Sequence, residues 1–220
     1  MKAIYYNMGD GVEAFSTYKD AVLPYFVIQP HQVHGDAIKE IKSNNIDREK
    51  LRGIDALVTN LVECPIAVRT ADCVPILLYD PVCKAIAAVH SGWRGTVAKL
   101  VVKVIQFMGL KYGTKAIDLK VVIGPSIGPE SFIVHKDVVV AFSKAGFFMN
   151  EICKVKEEDT YTIDLWEANK KLLLGIGVLS ANITITGICT YKNHNDFFSA
   201  RYEKNNKCGR TINVIKLNRE

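Results

Sequence analysis

Three short polar segments, each set into apolar sequence, offer side chains that can bind a metal or attack a substrate. They are residues 31–36 (HQVHGD), 70–75 (TADCVP) and 89–95 (VHSGWRG). Two imidazoles and one thiolate form a set of three protein ligands that leaves a fourth position open, as in catalytic zinc or copper sites. A Cys and a His can instead form a nucleophile and its base. The residue types alone leave both kinds of site open.

A predicted β-hairpin brings Cys73 and His90 together. The apolar runs 75–79 and 85–90 have the length of buried strands, and Asp80-Pro81 marks a turn between them. Cys73 and His90 then lie side by side at the open end of the hairpin. On a strand, His31 and His34 point to opposite faces, so only one of them can join the site. We favour His34, because Gly35 lets the backbone bend beside it.

The segment 91–96 joins the second strand of this hairpin to the strongest predicted helix. Apolar residues at period 3.6 form one stripe along that helix, namely Val97, Leu100, Val101, Val104, Ile105 and Met108. Gly109 and Gly113 are both plausible C-terminal ends of this helix. Free N–H groups at a helix start attract anions, and Arg94 adds a donor that suits phosphate or carboxylate.

The remaining strand and helix patterns predict an α+β fold, with mixed β-sheets packed against helices. Apolar runs at 56–59, 65–69, 119–123, 183–188 and 211–215 are typical of strands, and 136–146 and 164–175 of helices. Several strands follow each other too closely for crossover helices, which excludes a doubly wound parallel sheet. Residues 39–53 are polar and are predicted to be a surface excursion. No linker composition divides the chain, so we expect a single domain over residues 1–220.

Composition narrows the class of protein. The chain has 220 residues, a formal net charge of +5 and six cysteines. None of the cysteines forms a C-x-x-C pair, and no signal peptide is recognisable, so we expect reduced thiols and a cytoplasmic protein. No apolar stretch reaches membrane-spanning length. The basic residues are too sparse for nucleic-acid binding, although some of them can meet an anionic substrate.

Together the segments resemble a known family. The matching motifs are Q-V-H-G at 32–35, T-A-D-C-V-P at 70–75, A-V-H-S-G-W-R-G-T at 88–96, I-G-P-S-I-G at 123–128, and F-F-S-A-R at 197–201 with Gly209-Arg210. They look like the family once called multicopper polyphenol oxidoreductases, or laccase-domain proteins. Members are described as purine nucleoside phosphorylases that also deaminate adenosine and cleave methylthioadenosine.

The resemblance implies a role for each matched residue. The implied metal ligands are His34, Cys73 and His90, which would hold Zn²⁺, with Cu²⁺ as the alternative. Asp72, beside Cys73, is a candidate proton carrier. Bound zinc can lower the pKa of water to about 7, which suits attack on C6 of adenosine. Arg94, Arg201 and Arg210 are candidate phosphate donors. The expected partners are a purine nucleoside and phosphate, and the oligomeric state stays open between monomer and homodimer.

Three other functions remain open at this stage. Copper in the same site would support oxidation of polyphenols, although three ligands are too few for a true laccase. Cys73 and His90 without metal would suit a hydrolase or amidase. The third alternative is a binding module that holds a purine or a protein partner without turnover.

Overall fold

The strands of this protein form three β-sheets in a computed structural model that describes residues 2–204 and 208–219. The strands of these residues are β1 (Ala3–Tyr5), β2 (Val12–Thr17), β3 (Ile38–Glu40), β4 (Ala56–Thr59), β5 (Ile66–Thr70), β6 (Val74–Asp80), β7 (Ala85–Ser91), β8 (Lys120–Ile123), β9 (Ile133–Val134), β10 (Cys153–Glu157), β11 (Thr160–Ile163), β12 (Ile183–Ile185) and β13 (Thr211–Leu217). The helices are α1 (Trp93–Val97), α2 (Leu100–Tyr112), α3 (Lys136–Lys144), α4 (Met149–Ile152), α5 (Leu165–Gly175) and α6 (Ala200–Glu203). This is the α+β architecture that the sequence predicts.

The two larger sheets pack face to face. A mixed sheet has the order β12-β8-β6-β7-β4-β3, and an antiparallel sheet has the order β1-β2-β13-β5. Leu77 and Ile86 of the mixed sheet meet Ile66, Val68 and Ile215 of the antiparallel sheet in one core. Alternate residues of the same central strands pack against α2 and α5 in a second core. Burial on both faces explains why these strands read as continuous apolar runs.

The hairpin of β6 and β7 has the predicted antiparallel register. Pro75 lies opposite His90, and Val74 lies opposite Ser91. At the far end the Asp80 carboxylate accepts hydrogen bonds from the backbone N–H groups of Val82 and Cys83, both at 2.9 Å. This turn closes the hairpin and leaves Cys73 and His90 together at its open end.

The predicted apolar stripe spans two helices instead of one. Lys99 lies between α1 and α2 with φ +56°, a left-handed conformation that no continuous α-helix contains. The stripe residues Leu100 to Met108 of α2 are buried as expected. Gly113 ends α2 with φ +80°, whereas Gly109 lies inside the helix, so its predicted role as an end is wrong.

The prediction of a surface excursion over 39–53 is wrong in part. Its first residues belong to β3, which pairs in parallel with β4 at the edge of the mixed sheet. Ile41 and Leu51 are buried in the core between the sheets. The single apolar residues in this polar stretch were too far apart to show a period.

The cysteine prediction agrees with the structure, because all six cysteines are free. Among the described residues, no helix combines the length and apolar character that a membrane crossing requires.

Candidate metal and substrate site

Three side chains from distant parts of the sequence converge at the open end of the hairpin. One ligand atom from each of His34, Cys73 and His90 lies within 4.8 Å of the other two. The rings of His34 and His90 meet edge to face, with centroids 4.9 Å apart. His90 is buried, Cys73 is partly buried and His34 is exposed, so the cluster is reachable from solvent. The structure therefore brings together the three ligands that the residue types pointed to.

The segment that carries His34 is not a strand, as the argument about strand faces assumed. Residues 32–34 lie outside the sheets, and His34 has φ +62°. His31 forms an isolated bridge with Arg52, away from the cluster. The Gln32 side chain donates to the Arg69 carbonyl and accepts from the Arg69 N–H, both at 2.8 Å. This clamp fixes the His34 loop to β5.

Asp55 holds the two histidines in place. Its carboxylate is fully buried and accepts hydrogen bonds from the backbone N–H groups of Val33, His34 and Gly35, at 3.3, 3.0 and 2.8 Å. The Nδ1 atom of His90 lies 2.7 Å from the same carboxylate. His90 therefore presents Nε2 to the cluster, and a carboxylate behind a histidine in this way is typical of metal sites.

The charges of the cluster also suit a metal ion. Burial raises the pKa of the Cys73 thiol, but hydrogen bonds with His34 and His90 outweigh burial and lower the pKa to about 6. Burial lowers the pKa of His90, whereas its hydrogen bonds to Asp55 and Cys73 raise it to about 9. Cys73 is thus held as a thiolate, the form of cysteine that binds metals. A His–Cys–His donor set with thiolate character fits zinc or copper.

Gly92 lets the backbone pass close to the cluster. A Cβ atom at this position would lie 3.0 Å from the Cys73 sulfur and 3.6 Å from Cδ2 of His34. Behind it, the fully buried side chain of Asn169 accepts from the Ser91 hydroxyl at 2.9 Å and donates to the Thr96 hydroxyl at 3.0 Å. Asn169 therefore ties α5 to both ends of the segment 91–96.

Two cavities flank the cluster and share His34, Ala71, Cys73 and Ala200. The larger cavity, about 450 Å³, has an apolar side formed by Ile127 and Phe132 and a basic side formed by Arg201 and Lys204. The smaller cavity, about 180 Å³, is lined further by Gln32, Arg69, His90 and Arg210. A metal bound by the cluster would face both spaces.

Asp72 lines the larger cavity, but both of its carboxylate oxygens are engaged. One accepts from the Thr190 hydroxyl and the other from the Arg201 backbone N–H, each at 2.7 Å. Asp72 has φ +80°, in the left-handed region that a non-glycine residue rarely adopts. These contacts fix α6 beside Cys73. The proton transfer that the resemblance implies for Asp72 stays a prediction.

The three arginines named from the sequence lie in different places. Arg201 lines the larger cavity and donates to the Ile133 carbonyl at 2.9 Å. Arg210 lines the smaller cavity and donates to the carbonyls of Cys208 and Gly209. Arg94 stacks on Trp93 at 4.3 Å and lines neither cavity.

Sequence reasoning missed Asp55, Asn169 and Arg69. Of the three, Asp55 is the easiest to recognise in the sequence, because it stands directly before the apolar run 56–59. A carboxylate that is buried beside such a run needs a hydrogen-bond or charge partner. Arg69 follows an apolar run and was read only as the end of a strand. Asn169 sits among helix residues of mixed polarity, with no signal of its buried contacts.

The chain is similar to several known proteins. A family model described as multi-copper polyphenol oxidoreductase laccase matches residues 16–218. A purine nucleoside phosphorylase from Bacteroides thetaiotaomicron is 41% identical over 206 residues, which cover 91% of this chain and 74% of that protein. A protein named adenosine deaminase RL5, from an unknown prokaryotic organism, is 39% identical over 183 residues, covering 80% of this chain and 69% of that protein.

A solved structure shares the fold. The crystal structure of Bacillus licheniformis hypothetical protein YfiH superposes with a TM-score of 0.89 at 24% sequence identity. The alignment covers 98% of this chain and 96% of that chain. The arrangement of three sheets is therefore common to both proteins.

Proposed function

Because this chain belongs to the multi-copper polyphenol oxidoreductase laccase family, we propose that it is a metal-dependent purine nucleoside phosphorylase that also deaminates adenosine. The observation that carries the proposal is the convergence of His34, Cys73 and His90 between two cavities. The relatives named for phosphorolysis and for deamination support the two reactions. Adenosine, inosine and methylthioadenosine are the proposed nucleosides.

His34, Cys73 and His90 are the proposed holders of the metal, with zinc favoured over copper. When bound, zinc supplies Lewis acidity and lowers the pKa of water to about 7. Asp55 orients His90 through Nδ1 and keeps the His34 loop in place by accepting its N–H groups. The protein thus offers three fixed ligands and an open side toward both cavities.

The larger cavity is the proposed nucleoside site. Its volume of about 450 Å³ lies within the ~300–1,000 Å³ common for small-molecule sites. Phe132 and Ile127 supply the apolar surface that a purine ring requires, and the Arg201 guanidinium lies over the Phe132 ring at 5.7 Å. Asp72 fixes Arg201 by accepting its backbone N–H.

One assay of the purified protein tests this proposal. The protein is prepared without chelator, its zinc and copper are measured, and it is incubated with adenosine and phosphate. We expect bound zinc, with adenine from phosphorolysis and inosine from deamination resolved by chromatography. Neither product would appear if the chain were a binding module without turnover.

The matched variants are Cys73→Ala in the cluster and Cys83→Ala in the hairpin turn. Loss of a thiolate ligand is expected to abolish both metal retention and product formation, whereas Cys83→Ala should behave as the wild type. Full turnover by a metal-free Cys73→Ala protein would contradict the proposal. Copper-loaded protein that oxidises diphenols but leaves adenosine intact would favour the polyphenol oxidase instead.

A further inference from the structure

The smaller cavity beside the cluster has a distinct chemical character. Arg69 and Arg210 both line it, and among the described residues that line it none is Asp or Glu. Its volume of about 180 Å³ is below the ~300–1,000 Å³ typical of sites for whole organic ligands. A space of this size and charge suits a small anion.

The backbone of Arg69 is held on both sides. Its N–H and carbonyl are clamped by Gln32, and on the other side it pairs with Ile212 of β13. The side chain is exposed, and its guanidinium has no hydrogen-bond or carboxylate partner among residues 2–204 and 208–219. An arginine that is free to bind a ligand beside a fixed metal-ligand cluster is suited to bidentate recognition of phosphate.

Arg210 reaches the same cavity from the segment that leads into β13. Its Nη1 donates to the neighbouring carbonyls of Cys208 and Gly209, which orients the guanidinium, and its other N–H groups have no partner among residues 2–204 and 208–219. One arginine of β5 and one from the segment before β13 therefore line the same small space.

We propose that Arg69, together with Arg210, binds the inorganic phosphate that attacks the nucleoside; this inference rests on the proposed function. A phosphate oxygen forms a bond to C1′ of the ribose as the bond from C1′ to the base nitrogen breaks. The electron pair of that bond leaves with the base, which takes up the proton of hydrogen phosphate. The products are ribose 1-phosphate and the free base, so atoms and charge balance.

The two reactions of the proposed function therefore differ in their need for Arg69. Phosphorolysis requires phosphate in the smaller cavity. Deamination uses water instead of phosphate, with the nucleoside in the larger cavity, and it releases ammonia. Substitution of Arg69 separates the two activities, which substitution of a metal ligand cannot do.

The test compares Arg69→Gln with Arg48→Gln. Arg48 is an arginine that lines a neighbouring cavity of about 680 Å³, which shares only Arg69 with the smaller cavity. For Arg69→Gln we expect the KM for phosphate to rise about 10- to 100-fold, because a charge-assisted contact is lost. The kcat/KM for deamination should stay at the wild-type value, and Arg48→Gln should leave both reactions unchanged. Arg69→Lys keeps the charge without the bidentate fork and should give an intermediate KM.

An unchanged KM for phosphate in Arg69→Gln would overturn the inference, as would an equal loss of phosphorolysis and deamination. If Arg69→Gln fails to fold, the KM for phosphate of Arg69→Lys is used instead, and a wild-type value would overturn the inference. Wild-type protein that cleaves no nucleoside overturns the proposed function itself, and this subsite with it. Deamination without phosphorolysis in the wild type overturns the phosphorylase part of the proposed function together with the phosphate subsite, whereas an unchanged KM in Arg69→Gln overturns the subsite alone.

Discussion

Asp55 is the residue on which the geometry of both histidines depends. One carboxylate satisfies three backbone N–H groups of the His34 loop and the Nδ1 of His90, and it is completely buried. Burial alone would raise the pKa of this carboxyl, but its hydrogen bonds with His90 and the loop lower it below the ordinary value. Asp55 therefore stays ionised and can balance positive charge at the cluster.

We predict that Asp55→Asn lowers the affinity for zinc about 10- to 100-fold, the usual cost of losing a partner behind a metal ligand. An amide carries no charge for His90, and its NH₂ group would face backbone N–H donors. Titration with a chromophoric zinc chelator measures the affinity, and circular dichroism checks the fold. Asp20→Asn, at an exposed position, is the control. Equal zinc affinity in the two variants would show that Asp55 does not position the site.

At the residue scale, residue types and spacing predicted that Cys73 and His90 lie together, whereas His34 was chosen partly on strand geometry that its segment does not have. They did not predict the residues that support the cluster. His34, Cys73 and His90 stand out because soft ligands are rare within apolar sequence. Asn169 and Arg69 do not stand out, because their importance comes from contacts across 78 and 37 residues of chain, with Ser91 and Gln32 respectively. Such long-range contacts leave no local pattern in a single sequence.

The segment between β7 and α1 shows how one short element serves the site. Gly92 has φ −62° and ψ 176°, an extended conformation that any residue adopts, so only space requires a glycine here. The Cys73 sulfur lies 3.0 Å from where a Cβ would stand. The close approach brings the start of α1 against Cys73 and His34, two of the proposed metal ligands.

Gly92→Ala tests this packing. Overpacking a rigid site costs about 1–3 kcal/mol, so we expect zinc affinity to fall about tenfold or more while the fold is retained. The matched control is Gly175→Ala, since a Cβ at Gly175 would meet no atom within 4 Å. Zinc affinity and thermal unfolding are measured on the metal-free form of each variant. Wild-type affinity in Gly92→Ala would mean that the sulfur can shift without consequence.

At the element scale, the sequence predicted strand pairs that are close in the chain and missed pairs between strands that are far apart in the chain. The hairpin of β6 and β7 could be predicted because its strands are apolar and its turn contains Asp80-Pro81. The antiparallel sheet could not be predicted, because β2 pairs with β13 near the other end of the chain. Ala14, for example, lies opposite Ile215. The break between α1 and α2 at Lys99 was hidden by an uninterrupted apolar stripe.

In the whole molecule, the candidate site lies at the seam between the two larger sheets. β5 of the antiparallel sheet ends at Thr70 and β6 of the mixed sheet begins at Val74, so the connection 71–73 crosses from one layer to the other. Asp72 makes this crossing with its left-handed backbone, and Cys73 lies at its end. Arg69 belongs to one layer and His90 to the other. The packing of the sheets thus brings the proposed metal ligands and the proposed anion-binding arginines together in one place.

The central claim is that His34, Cys73 and His90 hold one metal ion on which both proposed reactions depend. The most direct measurement adds zinc stepwise to protein stripped by a chelator and follows phosphorolysis and deamination of adenosine at each step. We predict that both rates start near zero, rise together and level off at one zinc ion per chain. Full rates in the stripped protein, with no response to added metal, would contradict the account.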